Sequence, residues 1–392
     1  MKRKALVLGT NYYNALSAIR CLGRAGIPLA VAEYDRSSYG LRSKYVDEVV
    51  ITPYFQDDEH ACLDALVDYA KKQSDKPVLI PTHDNYMLFV DRHQDVLRDY
   101  YLLTLPKPGL ATQVIEKDGL HQLAQKYGMP VPQSFPFENY QLSSELLDRL
   151  TYPILVKPVD SPAFTAKFRK KAFLCRNQAD LMKAAEQVRA ANIPAILQEL
   201  IEGDDESMLL FDAFVQQNGA IDHIFTGSKL RQWPINLGAS CLMKQRYIPE
   251  LIDLGTKFLQ DIAWRGFAEI EFKQDQRTGK IYMIEINARI TNFNACIEAC
   301  GINVPLLSYQ DLNGDPLTPE RRIIDSDLGI GFKYAYENTR AKRAYLQSGQ
   351  WSKSYLRKQE SGIRFIPAIW QPSDPRPAMR FLYNKLSKKI FK

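Results

Sequence analysis

The sequence predicts a mixed α/β and α+β protein built from several packed modules. Three observations predict it. The chain has 392 residues, too many for one small core. Over the first hundred residues short apolar strands alternate with helical patterns, which is how a parallel sheet reads. From about residue 195 strands dominate instead, with turn residues between them. Apolar content of 45% and charged content of 24% are ordinary for a soluble globular protein, so no disordered or fibrous class competes.

The elements follow in order. Ala5, Leu6, Val7 and Leu8 form a short buried strand, and Gly9 turns the chain. A helix follows, with Ala15, Ile19 and Leu22 on one face, and Gly26 and Pro28 end it. Strands at 29–32, 46–51 and 77–80 and a helix at 59–72 continue the alternation. Pro106 and Pro108 then mark a linker. Glu33 ends the second strand where the ribose-binding acid of a dinucleotide fold would sit. The turn from Gly9 to Asn14 nevertheless lacks the second and third glycines of GxGxxG, so the backbone cannot approach a pyrophosphate closely, which weighs against a nicotinamide site. Between residues 108 and 192 the pattern is helix (117–127), strand (152–157), strand (173–175) and helix. Asn177 is placed to cap that last helix, and Asp180 sits favourably in its first turn. Strands follow at 195–200, 208–215, 221–228, 267–273 and 280–286.

Six cysteines without a CxxC, and five scattered histidines without HxH or HExxH, exclude a disulfide framework and a zinc centre and suit reduced cytoplasmic thiols. Lys2, Arg3 and Lys4 precede an apolar run of only four residues, so neither a signal peptide nor a membrane span is expected. The net charge of +6 is unevenly spread. From Ala341 onward there are 12 Lys or Arg against two acids, Glu360 and Asp374, which leaves the rest mildly acidic.

The chemistry concentrates in one hairpin. Phe267 to Lys273 and Lys280 to Arg289 both alternate apolar and polar residues, and the stretch 275–279 supplies turn chemistry between them. If the hairpin is symmetric about Thr278, Glu271 and Glu285 face one another. The strand period then places Asn287 and Arg289 on the same face as Glu285. Like charges directly opposite destabilise a sheet unless a cation lies between them, and hard oxygen donors of this kind suit Mg²⁺ bridging nucleotide phosphates. Arg289 would stabilise charge developing on a transferring group. A solvated hairpin face is the plain alternative, but it leaves Glu269, Glu271 and Glu285 inside apolar strands unexplained. A second signal is Lys157, which ends an apolar strand and is held extended by Pro158 as a fixed point charge for phosphate. The third is the stretch 198–207. Backbone groups at Glu199 and Ile201 suit an adenine edge, and Glu206 suits ribose hydroxyls. An ordinary strand-end lysine and an acidic hairpin loop are the plain readings of these two.

In this order the signals resemble the ATP-grasp superfamily over about residues 2–311. Within it the stretches 79–84, 126–132 and 229–234 look most like the D-aspartate ligase and carboxylate–amine ligase branch. The resemblance implies an ATP-grasp fold: a Rossmann-like pre-ATP-grasp domain (1–107), then two α+β subdomains sandwiching ATP (108–195 and 196–315, the second with the metal site). Residues 316–392 are left as a basic C-terminal tail. It further implies that Lys117 and Lys157 contact phosphates, Glu199, Leu200 and Ile201 hold adenine, and Glu206 binds ribose. Glu271, Glu285 and Asn287 bind Mg²⁺ (two ions, with Mn²⁺ able to substitute), and Lys157 and Arg289 act in catalysis. Lys229 and Arg231 are candidates for gripping the carboxylate substrate, or else outward-facing strand positions. The implied reaction is ATP-dependent activation of an amino acid or other carboxylate as an acyl phosphate, followed by attack of an amine acceptor. D-Aspartate added to a peptidoglycan or surface-polymer precursor is one such pairing, and a homodimer is compatible with it. The family's glycine-rich phosphate loop is replaced by residues 161–171, which contain Lys167, Arg169, Lys170 and Lys171 but no glycine. Either these cations substitute for backbone donors or nucleotide closure is lost. A nucleotide-binding regulatory protein and a dipeptide-forming or biosynthetic amino acid ligase therefore remain as alternatives.

Past residue 315 the resemblance ends. On a C-terminal helix Met379, Leu382, Leu386 and Ile390, with Tyr383, form an apolar stripe, while Arg380, Lys385, Lys388, Lys389 and Lys392 lie mainly elsewhere. Two readings fit: an interfacial helix drawn to anionic lipid at the inner face of the membrane, or a helix packing its stripe on the body. No recognition motif accompanies the charge, so nucleic acid is not an expected partner.

Overall fold

The computed structural model describes residues 2–159 and 161–390, excepting the side chains of residues 117, 138, 161–163 and 388–390. Its frame is three sheets. The first is parallel, with strands in the order Glu48–Ile51, Leu29–Glu33, Ala5–Leu8, Val78–Pro81. The apolar runs read from the sequence are its central strands, and Ala5, Leu6, Val7 and Leu8 are fully buried because helices cover both faces. Gly9, at φ +82°, ends the first strand where any Cβ would meet the Tyr86 ring at 2.6 Å. Glu33 is not a ribose ligand. It is buried and accepts hydrogen bonds from the Thr10 amide and hydroxyl at 2.7 and 2.6 Å and from the Tyr34 and Asp35 amides at 3.0 Å.

The second sheet is antiparallel, ordered Ser134–Pro136, Ala195–Glu199, Ile154–Pro158, Phe173–Cys175. The helix Gln178–Ala190 covers it, burying Leu181 and Val188 against Ile154 and Leu197. Asn177 caps that helix, its side-chain oxygen accepting from the Asp180 amide at 2.9 Å.

The third sheet has eight strands and carries the hairpin. Seven run in the path Ile281–Asn287, Gly266–Gln274, Met208–Val215, Ile221–Trp233, Ala239–Gln245, Ile330–Lys333, Arg364–Pro367, and the eighth, Arg322–Ile323, pairs parallel with Ile221–Trp233 off that path. Here the sequence reading is corrected, because residues 316–390 are not a tail. Ile330–Lys333 and Arg364–Pro367 extend the sheet as a parallel pair, and the helix Ala335–Gln347 packs on its face. Asp374, fully buried, ties this segment to the first module. It accepts from Arg20 Nε at 3.0 Å, the Ser43 hydroxyl at 2.8 Å and the Lys44 amide at 2.9 Å. The short strands were illegible because each is four residues long within a stretch dominated by positive charge.

Arg231 is the second tie. It is fully buried in the strand Ile221–Trp233 and donates to Gln359 Oε1 (3.0 Å), Asn338 Oδ1 (2.9 Å), Glu360 Oε1 (2.5 Å) and the Leu356 carbonyl (2.6 Å). Neither an outward-facing position nor a substrate grip, it spends its guanidinium on the C-terminal segment. Glu360 also meets Lys333 at 3.0 Å and Lys342 at 2.5 Å. Burial alone would raise the Glu360 carboxyl, but bonds from Arg231, Lys342 and Lys333 hold it down to about 2 from its ordinary 4.5. A carboxyl depressed by folding stabilises above its unfolded pKa and loses that contribution as pH falls through the folded one. Acid unfolding of the intact chain should therefore steepen between about pH 4.5 and 2, over a range of about 2–3 kcal/mol. Glu360→Gln should flatten that limb and lower the melting temperature at pH 7. Unchanged acid limbs in the two proteins would discard this account.

Candidate active site

The strands Gly266–Gln274 and Ile281–Asn287 pair antiparallel, with Glu271 opposite Glu285 and Glu269 opposite Asn287. The pair Glu271–Glu285 is the one that symmetry about Thr278 predicts, but nearer the turn the register is shifted by one residue, with Phe272 opposite Met283 and Gln274 opposite Ile281. On the other side Glu269 pairs with Asp212 of Met208–Val215. One sheet face thus carries Asp212, Glu269, Glu271, Glu285, Asn287 and Arg289; the first three are buried, Asn287 and Arg289 are half-buried, and Glu285 is exposed. Asp212 is missing from the sequence reading, although an aspartate inside an otherwise apolar strand was there to be seen. Both its oxygens are buried without a hydrogen-bond partner, and burial, then Glu269 and Glu271, push its pKa far up. Burial and the neighbouring Glu271 likewise raise Glu269 to about 8. Burial raises Glu271 as well, with Lys229 pulling against it, so of these four carboxyls only Glu285 lies below its ordinary value.

Cations lie among these carboxyls. Lys229 Nζ donates to Glu271 Oε2 at 2.6 Å with only 2% of its side chain exposed. Burial lowers the Lys229 pKa, but Glu271, Glu285 and Glu269 raise it further, so the ammonium persists. Lys229 is therefore buried, not outward-facing, and its partner here is Glu271. For Glu285 burial works against ionisation, yet the charges of Lys229, Lys171, Lys157 and Arg289 outweigh it and bring the pKa below the ordinary carboxylate value. Lys171 belongs to the glycine-free stretch, whose first part is a helix, Ser161–Phe168, rather than an open loop. Lys157 donates to Gln198 Oε1 at 2.8 Å and so joins the two strands of the second sheet that face the site.

Arg289 links the hairpin to the first module. It donates to Asn287 Oδ1 at 2.9 Å, and its Nε lies 3.2 Å from Asp84 Oδ1. Beside it a cavity of about 380 Å³ opens at the C-terminal ends of the parallel strands, lined by Gly9, Tyr12, His83, Tyr86 and Arg289 among others. Gly9 follows one strand and His83 another, adjacent strand, from which the chain departs in opposite directions, the place where open α/β sheets take ligands. The Tyr86 hydroxyl is buried there without a partner. Burial, then Arg289, lowers His83 to about 4, so its imidazole is neutral at physiological pH.

Not every candidate converges. Glu206 Oε1 accepts from the Tyr355 hydroxyl at 2.6 Å and from Gln359 Nε2 at 2.7 Å, beside a second cavity of about 450 Å³. It thus meets Arg231 through Gln359. Glu199 ends the strand Ala195–Glu199, which leads into the candidate adenine-binding stretch (the hinge), with its amide donating to the Gln133 carbonyl at 2.8 Å, and Leu200 and Ile201 follow outside the strand. Lys117 opens the helix Lys117–Tyr127, but its side chain lies outside the described residues. Tyr355, Gln359 and Glu360 were unreadable as neighbours of the hinge because about 150 residues separate them from Glu206.

The donor set fits a hard divalent cation. Among the described residues no cluster of three or more His, Cys, Asp or Glu is placed to hold a metal. Two carboxylates in direct register and one amide oxygen nevertheless match Mg²⁺, which keeps several sites for water and phosphate oxygens.

No protein-family model matches the chain. It is 24% identical over 283 residues to a D-aspartate ligase of Enterococcus faecium, covering 69% of this chain and 67% of that one. Among solved structures it resembles the ADP complex of an N5-carboxyaminoimidazole ribonucleotide synthetase (TM-score 0.64, 17% identity, 80% of this chain and 78% of that). A biotin carboxylase from Campylobacter jejuni superposes with TM-score 0.62 at 18% identity, over 81% and 73% of the two chains. An L-amino acid ligase from Bacillus licheniformis gives TM-score 0.62 at 16% identity, over 84% and 78%. The fold is the ATP-grasp fold.

Proposed function

We propose that this ATP-grasp chain is an ATP- and Mg²⁺-dependent carboxylate–amine ligase. The observation that carries the reading is the in-register pair of Glu271, which is buried, and Glu285, which is exposed, with the charges of Lys229, Lys171, Lys157 and Arg289 acting on Glu285. A solvated hairpin face has no use for such a set of cations. A site for a polyphosphate with its metal requires both signs of charge at close quarters.

Glu271, Glu285 and Asn287 would hold the metal, which neutralises charge on the transferring phosphoryl group. Lys157 and Lys171 would hold phosphate oxygens as point charges, a substitute for glycine-loop amides. In the first step a carboxylate oxygen bonds to the γ-phosphorus as the bond to ADP breaks. In the second an amine attacks the acyl carbon, phosphate leaves, and the amine gives up a proton. Arg289, held between Asn287 and Asp84 and lining the cavity, would steady the negative oxygen of that second step. The chain supplies no nucleophile of its own, and none is needed.

The D-aspartate ligase relative supports an amino acid as the carboxylate, and a peptidoglycan or surface-polymer precursor would be the acceptor. The resemblance to the L-amino acid ligase supports a dipeptide-forming alternative. Two Mg²⁺ ions, replaceable by Mn²⁺, a homodimer and a cytoplasmic location complete the reading. A nucleotide-binding regulatory role is less well supported, since Lys171 of the glycine-free stretch still acts on Glu285.

The test is phosphate release from ATP and Mg²⁺ across D- and L-amino acids, each with and without a pool of amines. Release that depends on one acid establishes acyl-phosphate chemistry. ATP binding without release in any pairing would favour the regulatory reading. Arg289→Lys keeps the charge but loses the fork joining Asn287 to Asp84. It should lower kcat about 10²-fold with the KM for ATP nearly unchanged, and an equal loss in ATP affinity would assign Arg289 to nucleotide binding instead.

A further inference from the structure

The helix Arg376–Ile390 is held to the body by one side only. Ala378 is buried, and Phe381 meets Tyr39 edge-on at 5.6 Å. Arg380 and Asn384 donate to the Ser37 carbonyl at 3.3 and 2.8 Å, and the Lys385 ammonium lies 4.7 Å over the Tyr336 ring. The apolar stripe is on the other side. Met379, Leu382, Tyr383 and Leu386 are 63%, 59%, 62% and 61% exposed, which overturns the reading in which the stripe packs on the body. Ile390 continues the stripe in sequence, its side chain lying outside the described residues.

Charge and geometry then name what covers this face. At 100° per residue the stripe spans an arc of about 100°. Arg376 and Arg380 flank it on one side and Lys385 on the other. From Arg376 to Lys392 there are six cations and no acid. Basic side chains bordering an apolar strip can keep their heads in the lipid phosphate layer while the strip enters the acyl boundary. A second copy of the same helix would bring six more cations against these, with no acid on either helix to meet them. A protein core would ask for a wider apolar face. Among the described residues no helix is long and apolar enough to cross a membrane, so the contact is one of lying on the surface.

We infer that the helix Arg376–Ile390 is an interfacial anchor that binds the surface of an anionic lipid bilayer. This goes beyond the catalytic reading, and the test needs neither ATP nor substrate. The full chain is floated with vesicles of phosphatidylcholine containing phosphatidylglycerol, and with vesicles of phosphatidylcholine alone. The bound fraction should be at least about tenfold higher on the anionic vesicles and should fall with added salt. The double variant Leu382→Glu, Leu386→Glu alters only exposed positions, so it should keep the thermal melt and lose the flotation. No binding to anionic vesicles, equal binding to both vesicle types, or flotation retained by the double variant would each overturn the proposal. So would a self-association of the intact chain that the double variant abolishes, since that would give the stripe to a second copy.

Discussion

Glu285→Gln should lower acid-dependent phosphate release from ATP by about 10²–10³-fold while leaving the fold intact. Glutamine keeps the shape of the side chain and removes only its charge. That charge is what the surroundings are built to sustain. Burial would protonate a lone carboxyl here, yet Lys229, Lys171, Lys157 and Arg289 keep Glu285 ionised. Without it the metal loses one of two carboxylate donors, and the cations repel one another with less to offset them. The loss should appear in the Mg²⁺ concentration needed for half-maximal release as well as in the rate. If Glu285→Gln releases phosphate within a few-fold of the wild type, the hairpin is not the metal site and the proposed function loses its main support.

Glu271→Leu should remove a proposed metal-holding carboxylate and, in addition, cost about 3–5 kcal/mol of stability. Lys229 is buried and its ammonium bonds Glu271 at 2.6 Å. Deleting the carboxylate strands a positive charge that neither water nor a near neighbour relieves. Glu285 is the next charge in range, but its position across the strand serves several cations at once. Adding Lys229→Met should recover most of the loss, because an apolar pair of similar volume removes both charges together. Urea unfolding of the wild type, the single variant and the double variant measures the cycle. A single variant within about 1 kcal/mol of the wild type, or a double variant worse than the single, would show that Lys229 does not depend on Glu271.

The catalytic hairpin was legible for a local reason. Its two strands are joined by a short turn, so counting outward from Thr278 brings Glu271 to Glu285 and puts Asn287 and Arg289 on that face, but the register shift between Glu271 and Phe272 that completes the pair is not announced by the turn. Asp212 required a third strand, Met208–Val215, whose pairing the turn does not fix. Lys229 and Arg231 show the same limit from the other side. Two residues apart in one strand, they read as a pair facing one substrate. A register shift at Leu230 separates them, sending Lys229 to Glu271 and Arg231 to Glu360. Nothing in the local sequence announces that shift.

The sequence by itself determined the parallel leading module, the pairing of the two hairpin strands and the order of basic and acidic signals along the chain. Each of these depends on neighbours within a few residues, where the strand period, helix period and turn chemistry act directly. Only the tertiary structure decided that residues 316–390 complete the large sheet, that Arg231 is a tie rather than a grip, and that the terminal stripe faces outward. Those outcomes depend on contacts between residues more than a hundred positions apart, such as Arg20 with Asp374 and Arg231 with Glu360. Their partners are chosen by how the modules pack, and a charged residue reads the same in sequence whether water or a buried counter-ion will meet it.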